Sequence, residues 1–563
     1  MGRKTSEKQT MNKLVCIFGL LSLISCKETK EIDYSSVVLW EPYNDSSEVA
    51  ANQAHEKSRM RFKLIHSRVS DKNEIFRPLY HEVIQMPESE YEQLKPLVLE
   101  QDIPTIQRHI KDGKLTYEKL IRFFLYRIYE FELNSNTSLH TIIALNENVV
   151  EEARELDKLI SGDRHPIFGM PILLKDNIGT AGMNTTAGSI ALKNNETKDA
   201  FIVGQLKKNK ALILGKVNLS EWAYYMCNGC PLGYSAIGGQ TLNPYGRRIF
   251  ETGGSSAGSG TSVAASYAVA AVGTETSGSI LSPSSQNSVV GLKPTIGLLS
   301  RTGIVPISST LDTPGPMTKN VVDNAILLSA MTGRDAADKM SVSTTEDFVG
   351  AVMDSESLRG KRLGVFKDLL ETDSIYMNTA NKLRNLGAEI IEFTAPEVSM
   401  DGFLTLLNMD MKNDLPEYLN ANVQNKEKIS IRTLEEIVEF NLADSLLRVP
   451  YGQSIFDGIL KDSTSLDELQ LIKNRLQENG RLFFDTPMDQ QQLDAILSIN
   501  NYHASYAAVA KYPALAVPMG YKETGEPISL TFIAKPFNES NLLKMGRAFE
   551  TATNLRKSPK AYK

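Results

Sequence analysis

The apolar positions change their spacing at about residue 100. Before that point, residues 27 to 95 are polar and charged, with one helix expected over Glu48 to Ser67 and Pro- and acid-rich loops after it. Residues 26–95 therefore read as an N-terminal spacer with some structure. From Ile103 the pattern tightens. Gly113-Lys114-Leu115-Thr116 marks a helix start, and Leu120, Phe123, Phe124, Tyr126, Ile128 and Tyr129 share one helical face. Beyond it, short apolar runs alternate with helical stretches: Ile172 to Leu174, Ala211 to Leu214, Ala268 to Val272, Arg362 to Phe366, Glu389 to Ile391, Ala514 to Val517 and Ile528 to Ile533. Such alternation predicts an α/β domain layered around a large sheet, over residues 96–560. A helix near Ile375 to Leu386 is followed by Gly387 and then a strand, the expected glycine cap. The stretch from 397 to 490 is helical and charged and is expected to form an outer helical layer. No Pro/Gly linker breaks the pattern, which favours one large domain.

The amino terminus follows another pattern. Arg3, Lys4, Lys8 and Lys13 precede the apolar run Leu14 to Ile24, and Ser25-Cys26 close it, the arrangement of a signal peptide over residues 1–25. The run is about half of the ~20 residues that cross a bilayer, so a permanent membrane span is not expected. Leu23-Ile24-Ser25-Cys26 resembles a bacterial lipobox, which implies that Cys26 becomes the acylated first residue of an exported protein. The chain would then be lipid-anchored to a bacterial membrane, facing the periplasm or the exterior.

Charge removes one class of partner. With 61 basic against 67 acidic residues the formal net charge is −6, and no basic stripe suits a phosphate backbone, so nucleic acid is not an expected partner. Cys227-Asn228-Gly229-Cys230 is a single C-x-x-C, whereas a zinc site wants two such pairs. It reads as an inert or disulfide-forming loop pair in an oxidising compartment, and no metal site is expected.

The most unusual stretch is Gly253-Gly254-Ser255-Ser256-Ala257-Gly258-Ser259-Gly260, leading into a small-residue helix pattern from Thr261 to Val272. A flexible tether would run into polar sequence instead. A phosphate loop needs a Lys-Ser/Thr pair after its last glycine, and here Thr261 follows Gly260. A second cluster, Gly273-Thr274-Glu275-Thr276-Ser277-Gly278-Ser279-Ile280, comes directly after, then Gly291-Leu292-Lys293-Pro294-Thr295. Upstream, Lys175 ends the apolar run of Gly169-Met170-Pro171-Ile172-Leu173-Leu174-Lys175-Asp176-Asn177.

These segments together strongly resemble the amidase signature family. Thr185 to Ser189, Gly215 to Glu221 and Asp312 to Met317 add to the resemblance, which covers roughly residues 100 to 555, and the run Gly273 to Gly291 is similar to the bacterial peptide amidase branch, whose members remove C-terminal amides. The resemblance implies a single α/β domain with a mixed, twisted β-sheet surrounded by helices. It also implies a catalytic triad of Lys175, a cis-peptide serine at Ser255 and a nucleophile at Ser279, with no metal or organic cofactor and a small-molecule or peptide amide as substrate. The serine interval, 279 − 255 = 24, matches the family's usual one. Ser277, Leu281 and Ala257 depart from common family residues, and Asp494 to Asn501 replaces a common Pro-Thr segment, which puts the substrate pocket in question more than the chemistry.

The chemistry explains why those residue types are needed. A serine hydroxyl attacks only when a base takes its proton, and an amide yields only when its oxygen is stabilised. The backbone N–H groups of Thr276, Ser277, Gly278 and Ser279 are the expected oxyanion donors. Ser255 would relay a proton to Lys175, which must be neutral; an ordinary lysine leaves only ~1 in 2,500 molecules neutral at pH 7. Burial among Met170, Ile172, Leu173 and Leu174 is expected to impose the change, at a cost on the order of 4 kcal/mol for about three pKa units.

Two other readings compete. Gly254-Ser255-Ser256-Ala257-Gly258 also fits the G-x-S-x-G elbow of an α/β-hydrolase esterase, with Ser256 as nucleophile and His503 as the later histidine. A lipid-anchored binding protein that kept the fold and lost the chemistry is the other. A transamidase subunit acting on tRNA shares the family, but the export signal argues against it.

Overall fold

The computed structural model describes residues 34, 36–159, 162, 164–353 and 358–563. The signal segment and Cys26 lie outside them. Among the described residues an eleven-stranded sheet crosses the molecule. Its strands are β1 (Ile142–Leu145), β2 (Pro171–Lys175), β3 (Leu212–Val217), β4 (Ala270–Glu275), β5 (Val290–Lys293), β6 (Thr313–Thr318), β7 (Arg362–Phe366), β8 (Glu389–Phe393), β9 (Ala495–Ile499), β10 (Ala514–Tyr521) and β11 (Pro527–Ile533). They lie in the order β1-β3-β2-β4-β6-β5-β10-β11-β9-β7-β8. β2 runs parallel to β3 and β4, and β9 runs parallel to β7, while β4, β6, β5, β10 and β11 pair antiparallel in turn. The sheet is mixed, as expected. Its central strands are buried along their whole length, which is why they read as continuous apolar runs rather than alternating ones.

Helices cover the sheet, among them α1 (Tyr117–Glu132), α2 (Ala257–Ala264), α3 (Leu281–Gln286), α4 (Phe403–Asn422), α5 (Ser454–Lys461), α6 (Leu466–Gln491) and α7 (Ala504–Ala510). α1 begins where Thr116 accepts the Lys119 N–H and buries Leu120, Phe123, Phe124 and Ile128. α4, α5 and α6 carry a second apolar cluster, in which Leu406, Met411, Phe456, Ile459 and Leu469 pack with Trp222, Tyr225 and Met226. This is the outer helical layer expected over 397–490. Gly387 has φ +94 just past the helix Ser374–Asn385, as its cap position requires. No helix of the described residues is long and apolar enough to cross a membrane.

The spacer reading over 26–95 needs correction in its described part. Trp40 is buried, and Met60, Phe62, Ile65, Phe76, Leu79 and Tyr91 belong to the main core. The helix expected over Glu48 to Ser67 is a short one, Ser46–Asn52, followed by a single turn at Ser58–Met60. Met60, Phe62 and Leu64 are buried at every second position, an extended spacing that a helix cannot satisfy. The pattern Thr261 to Val272 is likewise not one helix. α2 ends at Ala264, Ser266 turns back with φ +56, and β4 starts at Ala270.

Candidate active site

β2 and β4 are parallel neighbours with Leu174 opposite Val272, so their carboxyl ends leave the sheet at one edge, the usual place for a site in an α/β sheet. Lys175 is the last residue of β2. Its Nζ lies 2.8 Å from Ser255 Oγ, 2.8 Å from Thr274 Oγ1 and 3.0 Å from the Thr274 carbonyl oxygen. A neutral amine has two N–H donors and one lone pair, which match the two Thr274 oxygens and the Ser255 hydroxyl. Lys175 is fully buried, and that burial pushes its pKa down to about 7 against the opposing pull of Asp312 and Glu275. Asn177 Nδ2 donates to Thr274 Oγ1 at 2.9 Å and steadies it from the other side.

The serine loop comes to Lys175 from α2. The Gly254–Ser255 peptide is cis, and the Ser255 carbonyl accepts the Ser220 N–H at 3.0 Å. α2 lies so close to the chain after β3 that a Cβ on Gly258 would sit 2.4 Å from the Asn218 carbonyl oxygen; only glycine fits there. Ser256 is occupied otherwise. Its hydroxyl donates to the Thr274 carbonyl at 3.1 Å and accepts the Thr274 N–H at 3.2 Å, while its own N–H donates to the Ser279 carbonyl at 3.2 Å. Ser256 thus staples the two serine loops together.

His503 stands elsewhere. Its Nδ1 is 2.6 Å from Ser498 Oγ, its ring stacks on Phe366 at 4.0 Å, and burial pushes its pKa down to about 4. The elbow reading with Ser256 and His503 is corrected by this geometry, because neither side chain makes contact with the other.

The second loop is braced by two carboxylates. Glu275 Oε2 accepts the Ile280 and Leu281 N–H groups at 2.7 and 3.0 Å. Asp312 accepts the Thr276 hydroxyl at 2.5 Å through one oxygen and the Ile307 and Ser308 N–H groups at 2.8 and 2.9 Å through the other. Burial pushes the Asp312 carboxyl up from its ordinary value, and those three donors pull it back. Between the braces the N–H groups of Thr276, Ser277, Gly278 and Ser279 donate to no other group of the described residues, and Gly278 has φ +91. Ser279 ends the loop at 9% exposure, and its hydroxyl makes no hydrogen bond among the described residues. The loop presents free donors and a free nucleophile side by side.

Of the residues expected from the sequence, Lys175 and Ser255 are in direct contact, and Ser279 is joined to them through Ser256. Thr274 and Glu275 stood inside the quoted glycine cluster, and Asn177 and Asp312 inside quoted landmarks, yet their bracing was not foreseen. Thr274 and Glu275 were marked only by their place in a Gly-rich run, and Asn177 and Asp312 only by the family resemblance of their segments. Among the departures, Leu281 is buried in the main core. The replaced segment reaches the loop, since Asn501 Nδ2 lies 2.9 Å from where a Cβ on Gly278 would be. A cavity of about 550 Å³ beside Trp40, Tyr43, His66 and Asp71 shares no residue with this cluster.

The amidase family profile matches residues 119–543. A probable amidase of Arabidopsis thaliana is 34% identical over 479 residues, which cover 82% of this chain and 92% of that protein. Among solved structures, an amidase family protein from Bacillus anthracis is 37% identical with a TM-score of 0.83, covering 88% of this chain and 100% of that one. The native peptide amidase from Stenotrophomonas maltophilia is 35% identical with a TM-score of 0.77, covering 82% and 98%.

Proposed function

The chain belongs to the amidase signature family, enzymes acting on carbon–nitrogen bonds, and within it we propose a Ser-Ser-Lys amide hydrolase with Ser279 as nucleophile. Lys175, neutral in a large fraction of molecules near pH 7, takes the Ser255 proton while Ser255 takes that of Ser279. Ser279 Oγ attacks the amide carbonyl, and the developing oxyanion is held by the N–H groups of residues 276–279. The proton returns through Ser255 to the leaving nitrogen, which departs as ammonia or an amine. Water then releases the acyl group by the same relay in reverse.

The observation that carries this reading is the fully buried Lys175 amine 2.8 Å from Ser255 Oγ, with Ser256 linking that pair to Ser279. C-terminally amidated peptides are the proposed substrate class, on the likeness to the peptide amidase. Export and lipid anchoring at Cys26 complete the proposal and rest on the signal and lipobox pattern.

The test uses a fluorophosphonate probe, with the label located by peptide mass spectrometry, followed by turnover of peptide amides. Label on Ser279 and release of ammonia support the reading. Label on Ser256, or none on the folded protein, overturns it.

A further inference from the structure

The loop from Ser220 to Gly233 touches both the serine cluster and the helical layer. On one side the Ser220 N–H donates to the Ser255 carbonyl at 3.0 Å, and Ser220 Oγ accepts the Gly233 N–H at 2.8 Å. Gly254 packs directly on this loop, for a Cβ there would lie 2.6 Å from Ser220 Oγ and 2.9 Å from Leu232. On the other side the Tyr225 hydroxyl donates to Asn408 Oδ1 at 2.7 Å, the Met226 carbonyl accepts the Ile455 N–H at 3.0 Å, and the Asn228 N–H donates to Ser454 Oγ at 3.1 Å. Those partners belong to α4 and α5.

The loop holds an unfavourable shape. Trp222, Ala223 and Tyr224 follow one another with φ +51, +54 and +73, three non-glycine residues in the left-handed region, a state that persists only where the surroundings over-determine it. The Tyr224 hydroxyl donates to the Cys230 carbonyl at 2.9 Å, and Cys227 and Cys230, their Cα atoms 5.9 Å apart, form a disulfide across the tip. Asn228 and Gly229 between them are exposed, while Cys227 and Cys230 are buried at 4% and 7% exposure, so a dithiol reaches the sulfurs as the tip opens. Behind the sulfurs lies a cavity of about 10 Å³, room for about one water, lined by Glu221 and Met226 among others. Burial pushes the Glu221 carboxyl up to about 8, against the pull of the Ala236 N–H and the Ser189 hydroxyl.

We propose that Cys227–Cys230 is a thiol-exchange site through which an external dithiol lowers the activity of the catalytic centre, by releasing the loop that supports Ser255. A thiolate of the dithiol attacks one cysteine sulfur, breaking the disulfide and forming a mixed one. The second thiol of the reagent displaces the remaining cysteine. The protein gains two electrons and two protons, both from the reagent, which leaves as its own disulfide. The link to activity rests on the role proposed above for Ser255; the loosening of the loop does not.

The experiment compares the full chain with a double C227S/C230S variant, each with and without dithiothreitol, reading alkylation by iodoacetamide, deuterium exchange and kcat on a peptide amide. In the wild type, reduction is expected to expose both cysteines to alkylation and to speed exchange at the amides of Ser220, Gly233 and Ile455. The turnover number is expected to fall about tenfold, the scale of a small misplacement of a reacting group, and to recover on re-oxidation with glutathione disulfide. The variant is expected to start at the lower rate and ignore the dithiol. Full rate and unchanged exchange with both cysteines alkylated overturn the proposal, as does a disulfide that excess dithiol leaves intact in the folded protein. Should no amide be hydrolysed in either state, the functional reading fails, while exchange at those amides and the probe-labelling rate of Ser279 still decide this one.

Discussion

Replacing Lys175 by methionine removes the buried amine and keeps most of its volume. In the folded chain that amine has a pKa of about 7, whereas in the unfolded chain it has its ordinary 10.5. Between those values the unfolded state binds one proton more than the folded state, so the wild type gains stability as pH rises, by about 1.36 kcal/mol per unit in the middle of the window. The sign follows from the lowered pKa: the penalty is absent above 10.5 and complete below 7. Worked through both protonation equilibria, the penalty is about 4 kcal/mol at pH 7.5 and about 1.5 kcal/mol at pH 9.5. The wild type should therefore gain about 2.5 kcal/mol over the methionine variant across that range. The hydrogen bonds lost at Ser255 and Thr274 enter as a constant offset. Urea unfolding of both proteins at several pH values reads the difference, and other titrating groups cancel in it. A difference that stays flat with pH means that Lys175 is charged when folded, and the relay through Ser255 then has no base.

Ser279→Ala should abolish peptide amide turnover and shift stability by no more than about 1 kcal/mol, since its hydroxyl bonds to nothing in the described chain; circular dichroism and denaturant unfolding check the second half. Thr276→Val frees the loop from Asp312 and is expected to lower kcat about tenfold to a hundredfold with a smaller change in KM, measured by steady-state kinetics. Ser256→Ala leaves the buried Thr274 N–H without its acceptor and should cost about 1–3 kcal/mol of stability in urea unfolding. His503→Ala should leave fluorophosphonate labelling of Ser279 and peptide amide turnover intact; turnover lost in a folded His503→Ala but kept in Lys175→Ala would instead support the esterase reading with Ser256.

Strands were legible wherever burial on both faces made a continuous apolar run, as in Pro171–Lys175 and Arg362–Phe366. Thr313–Thr318 was not legible as a strand. Thr313-Pro314-Gly315-Pro316 carries two prolines and a glycine, and what holds it in the sheet is long-range pairing with β4 and β5. The Thr261 to Val272 pattern misled because alanine and valine suit a packed helix and a buried strand equally, and only the turn at Ser266 separates them. The glycine-rich run stood out because it leads into apolar sequence and is a poor linker, but the pairing of Lys175 with Ser255 was implied by the family resemblance alone. The braces were not legible. Asp312 lies 36 residues from Thr276, and nothing local tells which carboxylate a hydroxyl will meet.

The burial of Trp40 has a consequence for where the protein can work. If Cys26 carries the proposed lipid, only the residues up to Trp40, 40 − 26 = 14 positions, separate the acyl chain from the folded body. Fully stretched they reach about 50 Å. Such a tether would keep the folded body close to the bilayer, so the enzyme would meet chiefly substrates that come equally close, and a longer tether should widen its reach without any change at Ser279.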